Sequence, residues 1–576
     1  MFTMAMNREP NAFKTLMTFL LLIVAVLGLA GCGSTGAYKW KPVKTFDPDT
    51  LSFDAPEEKA QYQYWDRIDN SIFHQLEKPL DLNKTFRFIG RMIGVAGPRQ
   101  ADNINRLDEV PESSWYERRH YYEPMTGREL ARGPNTVRPD TSGSWTIFRG
   151  KLEGANSGFF IEDARGNRFL IKFDGYLYPE LTTAADVIGS KFFYAAGYHV
   201  PEAVITYFDP EKVQIGEGVN VTVDGRKVPM DKGHLEQILQ GRPKNENGKI
   251  RAMASKFVDG RPVGPWFFEG TRDDDPNDRV KHEHRRELRG MRVLSSWLND
   301  TDRRDANTMA VYVEEGYIKH LVQDFGNVLG ANGVKAHTPI YGQAYLIDLR
   351  YILFSTITLG GYVYPWQNMD GEVTYPAAGY FRADVFKPGR WVPVHPIPAF
   401  ENMTLRDAFW GAKQVTSFSD SDIRAIVETG QITNPKAENY LVKTLIKRRD
   451  KIARYWYKRI NPLDRFRVGY HEERLELRFS DLGVITGVFD KQGTRYNVEV
   501  YAGGDKKEEV TTARLPISLD RKKLGLDSKS TNTKTRKIKM VLHTLRSERD
   551  GQGKRITLYL MGNSNRIQLS KLEREE

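Results

Sequence analysis

Asp302-Arg303-Arg304-Asp305-Ala306-Asn307, followed by Gln323-Asp324-Phe325-Gly326, is the stretch whose reading decides the fold. It sets an Asn five residues after Asp302, and an Asp-Phe-Gly seventeen residues after that Asn. Just upstream, Leu288, Met291, Leu294 and Leu298 recur at helical spacing, which predicts a helix over 283–298 with one buried face. Between Asn307 and Asp324, apolar runs at 309–313 and 317–322 predict a hairpin. Three polar side chains are therefore expected on two loops flanking one hairpin.

Working back from this stretch, the pattern is β from Ser144 onward. Runs at 146–148 and 159–161 are strand-like, Asp163-Ala164-Arg165-Gly166-Asn167 is a turn, and 168–173 is the next strand. A glycine-bearing loop, 150–158, joins the first two, and the backbone N–H groups of Gly154 and Gly158 could lie against phosphate. A helix is expected over 183–196, stopped by Gly197. Strands at 201–208 and 252–258 follow, separated by a polar insertion with its own hairpin. Lys172 ends a strand and needs an acidic partner. Asp186, in the first turns of the helix, faces it, and Glu180 is the rival just before the helix.

This order resembles the protein kinases. His-Arg-Asp and Ala-Pro-Glu signatures are missing, so the resemblance is to the atypical ones: HipA-type, CotH-type and phosphoinositide-kinase-like folds, over roughly residues 140–350. It implies an α+β fold, a bilobal atypical kinase-like core, and phosphotransfer from ATP with Mg²⁺. By that resemblance Asp302 would align or deprotonate the acceptor, and Asn307 and Asp324 would hold metal. Lys172, Asp186, Gly154 and Gly158 would hold the nucleotide. Two departures stand out: there is no full Gly-x-Gly-x-x-Gly loop, and Asp186 replaces the usual Glu. Asp108-Glu109-Val110-Pro111, Lys172-Phe173-Asp174, Asp274-Asp275-Pro276-Asn277-Asp278 and Trp297-Leu298-Asn299 further resemble a family of bacterial lipoproteins. That likeness runs nearly the whole length and implies no activity.

Two other clusters invite chemistry. Asp273–Asp278 with His282 and His284 could hold Ca²⁺ or Zn²⁺, but its spacing matches no calcium loop, so a solvated acidic loop capping the next helix is expected. Arg303 and Arg304 are expected to be solvated.

The N-terminus bounds the compartment. Arg8 and Lys14 lead into an apolar run from Leu16 to Leu29, ending in Leu29-Ala30-Gly31-Cys32. This resembles a bacterial lipoprotein signal, with Cys32 the lipidated residue and Gly33 pointing to the outer membrane, facing the periplasm. Cys32 is the only cysteine, which excludes an internal disulfide. Nucleic acid is not an expected partner for an exported lipoprotein. The net charge is +11, and 514–576 carries sixteen Lys or Arg against seven Asp or Glu, a surface suited to an anionic surface or an acidic protein.

With 576 residues, several domains are expected. These are a signal peptide (1–31), a lipid-anchored tether (32–85), an N-terminal cover with a kinase-like N-lobe (86–270), a helical C-lobe (271–462), and a basic all-β, sandwich-like domain (463–576). Helices are expected at 405–430 and 435–460, and strands at 474–479, 484–489, 496–501, 538–542 and 556–560. The competing reading is a non-catalytic envelope scaffold on the same fold.

Overall fold

Trp145, Ile147, Phe159, Ile161, Phe169 and Ile171 are all buried, and they alternate with more exposed neighbours along three strands. That period of two drives one face of a sheet into a core. In the computed structural model these are β1 (Trp145–Lys151), β2 (Gly158–Glu162) and β3 (Arg168–Lys172). With β4 (Ala203–Phe208), β5 (Val213–Ile215) and β6 (Ile250–Lys256) they form a six-stranded sheet in the order β4-β6-β3-β2-β1-β5. Only β1 and β5 pair in parallel. The structure describes residues 43–60, 69–73, 75, 98–151, 157–223, 226–527, 535–547 and 553–576. All of these except Pro98 belong to one compact unit, Val43–Glu77 with Arg99–Glu576.

Helix α1 (Leu181–Ala195) follows β3, and every residue in it but Tyr194 is buried. A helix covered on nearly every side lies inside the protein, and the polar side chains it carries need partners there. Its start is capped at a distance: Asp174 accepts from the Thr183 N–H at 2.8 Å and from its hydroxyl at 2.7 Å. On its far side lies the helical body, α2 (Arg286–Leu298), α3 (Leu405–Thr416), α4 (Asp420–Val427) and α5 (Pro435–Tyr457). One hydrophobic core runs from α1 through all of these. Leaving α2, the chain forms the hairpin β7 (Thr308–Tyr312) and β8 (Ile318–Val322).

Residues 463–574 make two further antiparallel sheets, of three and five strands, that share a separate core of Leu475, Leu477, Val498, Val500, Met540 and Leu558. The chain is thus mixed α+β with several sheets.

The helix expected over 405–430 is two, α3 and α4, because the Ser419 side chain caps a new start, and the structure departs from expectation at four further places. Where a strand is expected at 484–489, Asp481 accepts from the Gly483 and Val484 N–H groups and opens a helical turn, Leu482–Ile485. The insertion after β5 has its hairpin, Asn220–Val223 with Arg226–Pro229, and also a helix, Lys232–Leu239, set by an Asp231–His234 capping box. A helix at Leu349–Ile357, capped by Asp348, lies where loop is expected. Residues 43–60, expected to be tether, dock on the body: Asp49 accepts from the Ser114 hydroxyl at 2.8 Å, and Arg272 donates to Glu57 O at 2.8 Å.

Candidate active site

Lys172 is the last residue of β3, paired across to Gly158 on one side and Met253 on the other. A Cβ at Gly158 would sit 2.1 Å from the Ile171 carbonyl oxygen, so only glycine lets the two strands close here. This pins the stem of Lys172. Its Nζ donates to Asp186 Oδ2 at 3.1 Å and to Asp324 Oδ1 at 3.2 Å. Asp186 comes from α1 and is 7% exposed; Asp324 follows β8 and is 46% exposed. The second oxygen of Asp186 accepts the Phe325 N–H at 3.1 Å. A single carboxylate therefore links strand, helix and the Asp-Phe-Gly segment.

The electrostatics follow from this triangle. Burial alone pulls the Lys172 ammonium down, but Asp186 and Asp324 reverse that and hold it above its ordinary value. Lys172 in turn holds the Asp324 carboxyl down at about 2. Lys151, at the end of β1, is pushed down by burial and by the nearby Lys172 charge. It adds a second cation at this end of the sheet.

Asp302 and Asn307 lie after α2. Asn307 Nδ2 donates to the Asp302 backbone oxygen at 2.6 Å and to Asp302 Oδ2 at 3.2 Å. With its nitrogen committed twice, the Asn307 amide oxygen is the atom left to ligate. Asp302 Oδ2 also accepts from Asn327 Nδ2 at 2.9 Å, and Asp302 Oδ1 pairs with Arg304 at 3.3 Å. Burial raises the Asp302 carboxyl above its usual range. Asn327 Oδ1 accepts the Gly333 N–H at 2.8 Å, which braces that side chain.

Arg303 is buried, not solvated. It pairs with Asp300 at 2.6 Å and donates to the carbonyls of Asn307, Gln323 and Asp324. It thereby ties the Asp302 loop to the Asp324 loop. Asp300 is wholly buried, and burial lifts it to about 6 against the pull of Arg303. Arg304 is largely covered too, through its pairing with Asp302.

The structure thus brings together Lys172, Asp186 and Asp324 on one side, and Asp302 with Asn307 on the other, linked by Arg303. Gly158 flanks Lys172. Gly154 and Cys32 lie outside the described residues. Glu180 points elsewhere and accepts the Thr433 N–H. The acidic loop is solvated only in part: Asp273 is exposed, but Asp275, Asn277 and Asp278 are buried, Asp278 bonds His282 Nε2 at 2.7 Å, and Asn277 donates to Leu51 O. Among the described residues, no group of three His, Cys, Asp or Glu is arranged to hold a metal ion. Asn327, Lys151 and Asp300 belong to the site although no motif in the sequence points to them. Asp300, three residues before Arg303, was the one visible signal.

His337 adjoins this region, stacked on Tyr341 at 4.3 Å with Asn299 Nδ2 3.1 Å from its Nδ1. Burial drags it down to about 3. A histidine kept neutral in the fold but free to protonate when unfolded stabilises fully above pH 6.5, and that stability is lost as pH falls toward 3. His337→Gln should remove about 1.4 kcal/mol per pH unit of the acid-side slope between pH 6 and 5. Asp49 and Asp300, both raised to about 6, slope the opposite way in this window. The measurement is therefore the difference between wild type and variant in urea unfolding, and parallel curves would refute the assignment.

No protein-family model matches the chain, and no curated protein matches it. Two crystal structures are similar: that of the golgi casein kinase, at 9% identity over 71% of this chain and 94% of that one, and that of the Golgi casein kinase with Mn/ADP bound, at 10% over 71% and 95%. The TM-score is 0.26 for both, so the likeness carries no argument about fold or reaction.

Proposed function

We propose that the six-stranded sheet and the helical body are the two lobes of an atypical kinase-like core that transfers phosphate from Mg²⁺-ATP. The observation that carries this is Asp186, whose two oxygens hold the Lys172 ammonium and the Phe325 N–H at once. Phosphoryl transfer needs a fixed cation over the phosphates and metal ligands set against it. Asp186 fixes both relative to one buried helix. The donor set fits the metal: one half-exposed carboxylate (Asp324) and one uncommitted amide oxygen (Asn307), with phosphate oxygens and water to complete the shell. When bound, Mg²⁺ would offset the charge on the transferred phosphate. Lys172 would supply fixed positive charge, and Asp302, its basicity raised by burial, would take the acceptor proton.

The reading extends to the rest of the chain on sequence grounds alone. Cys32 would anchor the protein in the bacterial outer membrane, the basic segment 514–576 would meet an anionic surface or acidic protein, and nucleotide would have to be supplied outside the cytoplasm. A second reading, nucleotide binding without transfer, is favoured by one observation: both Asp302 oxygens are already engaged, by Asn307, Asn327 and Arg304.

The test is a thermal-shift titration of the full chain in detergent. A ligand at a hundred times its Kd stabilises by about 2.7 kcal/mol, so Mg²⁺-ATP at millimolar concentration should raise the melting temperature measurably. No shift with any nucleoside triphosphate would overturn both readings. A shift with no hydrolysis or transfer of labelled γ-phosphate would select the second.

A further inference from the structure

Lys191 lies one turn beyond Val187 on α1, on a face rotated roughly 140° from Asp186 at 3.6 residues per turn. Its side chain is buried (2% exposed). Among the described residues its one side-chain hydrogen bond is a long one, 3.5 Å to the Ala203 carbonyl on β4. Among the described residues no carboxylate acts on it, and the one neighbouring charge that does is Arg138, also a cation. Lys191 lines a cleft of about 440 Å³, which is also walled by Arg132, Arg138, Val187, Thr429 and Gln431 and has no acidic residue in its lining. Two carboxylates on the neighbouring segments are engaged elsewhere. Glu202 accepts from Thr136 and Val137 and pairs with Lys256 at 3.5 Å. Glu129 closes the capping box with Thr126.

We infer that this cleft is an oxyanion site, formed by Lys191 with Arg132 and Arg138, that takes a phosphate or phosphomonoester group. Burying an ammonium with no counter-charge is expensive unless the group gives up its proton or gains an anion. Here burial pulls Lys191 down to about 7, so it is half neutral at neutral pH. An anion in the cleft restores the proton and gains three cationic partners. The walls come from three parts of the chain: the segment after the Gly127–Arg132 helix, α1 with β4, and the turn at 429–431 beside the helical body. A bound anion would therefore brace α1 from the side opposite Asp186. This inference does not rest on the proposed phosphotransfer.

Sulfate, inorganic phosphate and glycerol phosphate are titrated into the full chain at constant ionic strength, with melting temperature as the readout. All three should raise it, and a phosphomonoester preference would show as tighter binding of glycerol phosphate than of phosphate. Sulfate has no proton to exchange near neutrality, so its binding should be accompanied by proton uptake at pH 7.5, measured calorimetrically in two buffers. Lys191→Met should abolish both effects. Arg138→Gln, a surface change that leaves the fold intact, should weaken binding about tenfold. Absence of any shift in the wild type, or wild-type binding in both Lys191→Met and Arg138→Gln, would each overturn the site.

Discussion

Substituting Asp324 by Ala is expected to abolish the rise in melting temperature that the proposed core should show with Mg²⁺-ATP, and to reduce the proposed phosphotransfer by about a thousandfold or more. The change removes the one half-exposed carboxylate available to metal, and it leaves Lys172 paired with Asp186 at 3.1 Å. The unliganded protein should therefore keep its stability within about 1 kcal/mol, since a pair open to solvent contributes little. Lys172→Met is a poorer test. It strands Asp186, 7% exposed, beside a second carboxylate with no cation between them. Lost binding there could reflect a displaced α1 as easily as a lost phosphate contact. An Asp324→Ala protein that still shows the wild-type nucleotide shift would mean that nucleotide binds elsewhere, and the proposed core would fall with it.

What the sequence made legible at this site is what local pattern encodes. Lys172 reads as a strand terminus because Phe169 and Ile171 alternate with their neighbours, and Asp186 reads as its partner because α1 begins a few residues on. The contacts that complete the site depend on where the chain returns. Asn327 reaches Asp302 only because the turn after Gly326 brings Gly333 back to brace it, and no spacing announces that. Arg303 looks like a surface residue in a charged loop. It is buried because three carbonyls converge on its guanidinium from two loops. The acidic run at 273–278 misleads for the same reason: its burial depends on residues 51–59, more than two hundred positions earlier, lying across it. At 484–489 alternation suggests a strand, but the Asp481 side chain captures two N–H groups and turns the chain first. The helix at Leu349–Ile357 was findable from its cap, Asp348.

The second large effect is on folding, and it centres on Asp108. This carboxylate is buried at 5% exposure and accepts from Arg286 at 2.6 Å and Arg406 at 2.5 Å, with Arg574 at 3.3 Å. Burial alone would raise its pKa, but the three guanidinium groups outweigh that and hold it below the usual carboxylate range. Arg286 belongs to α2, Arg406 to α3 and Arg574 to the last strand of the chain, so one residue joins the helical body to the C-terminal sheets. Arg574 also binds Asp464 at 3.0 Å, and Asp464 binds Lys413 at 2.9 Å and the Tyr121 hydroxyl at 2.7 Å. Removing one partner of a buried charge network costs about 3–5 kcal/mol, because the others stay desolvated and uncompensated. Asp108→Asn isolates this cost: the residue sits at φ +64°, a left-handed conformation that Asn tolerates and most residues do not. The variant should unfold at lower urea, and its transition should split, with the C-terminal sheets melting separately from the helical body. Asp464→Asn should reproduce the split, because it frees Arg574 from the other side. The two changes should add to less than their sum, since they share Arg574. A loss of under about 1 kcal/mol in Asp108→Asn, well below what a buried pair requires, with one undivided transition, would show that the two parts are held together by their apolar contacts and not by this charge network.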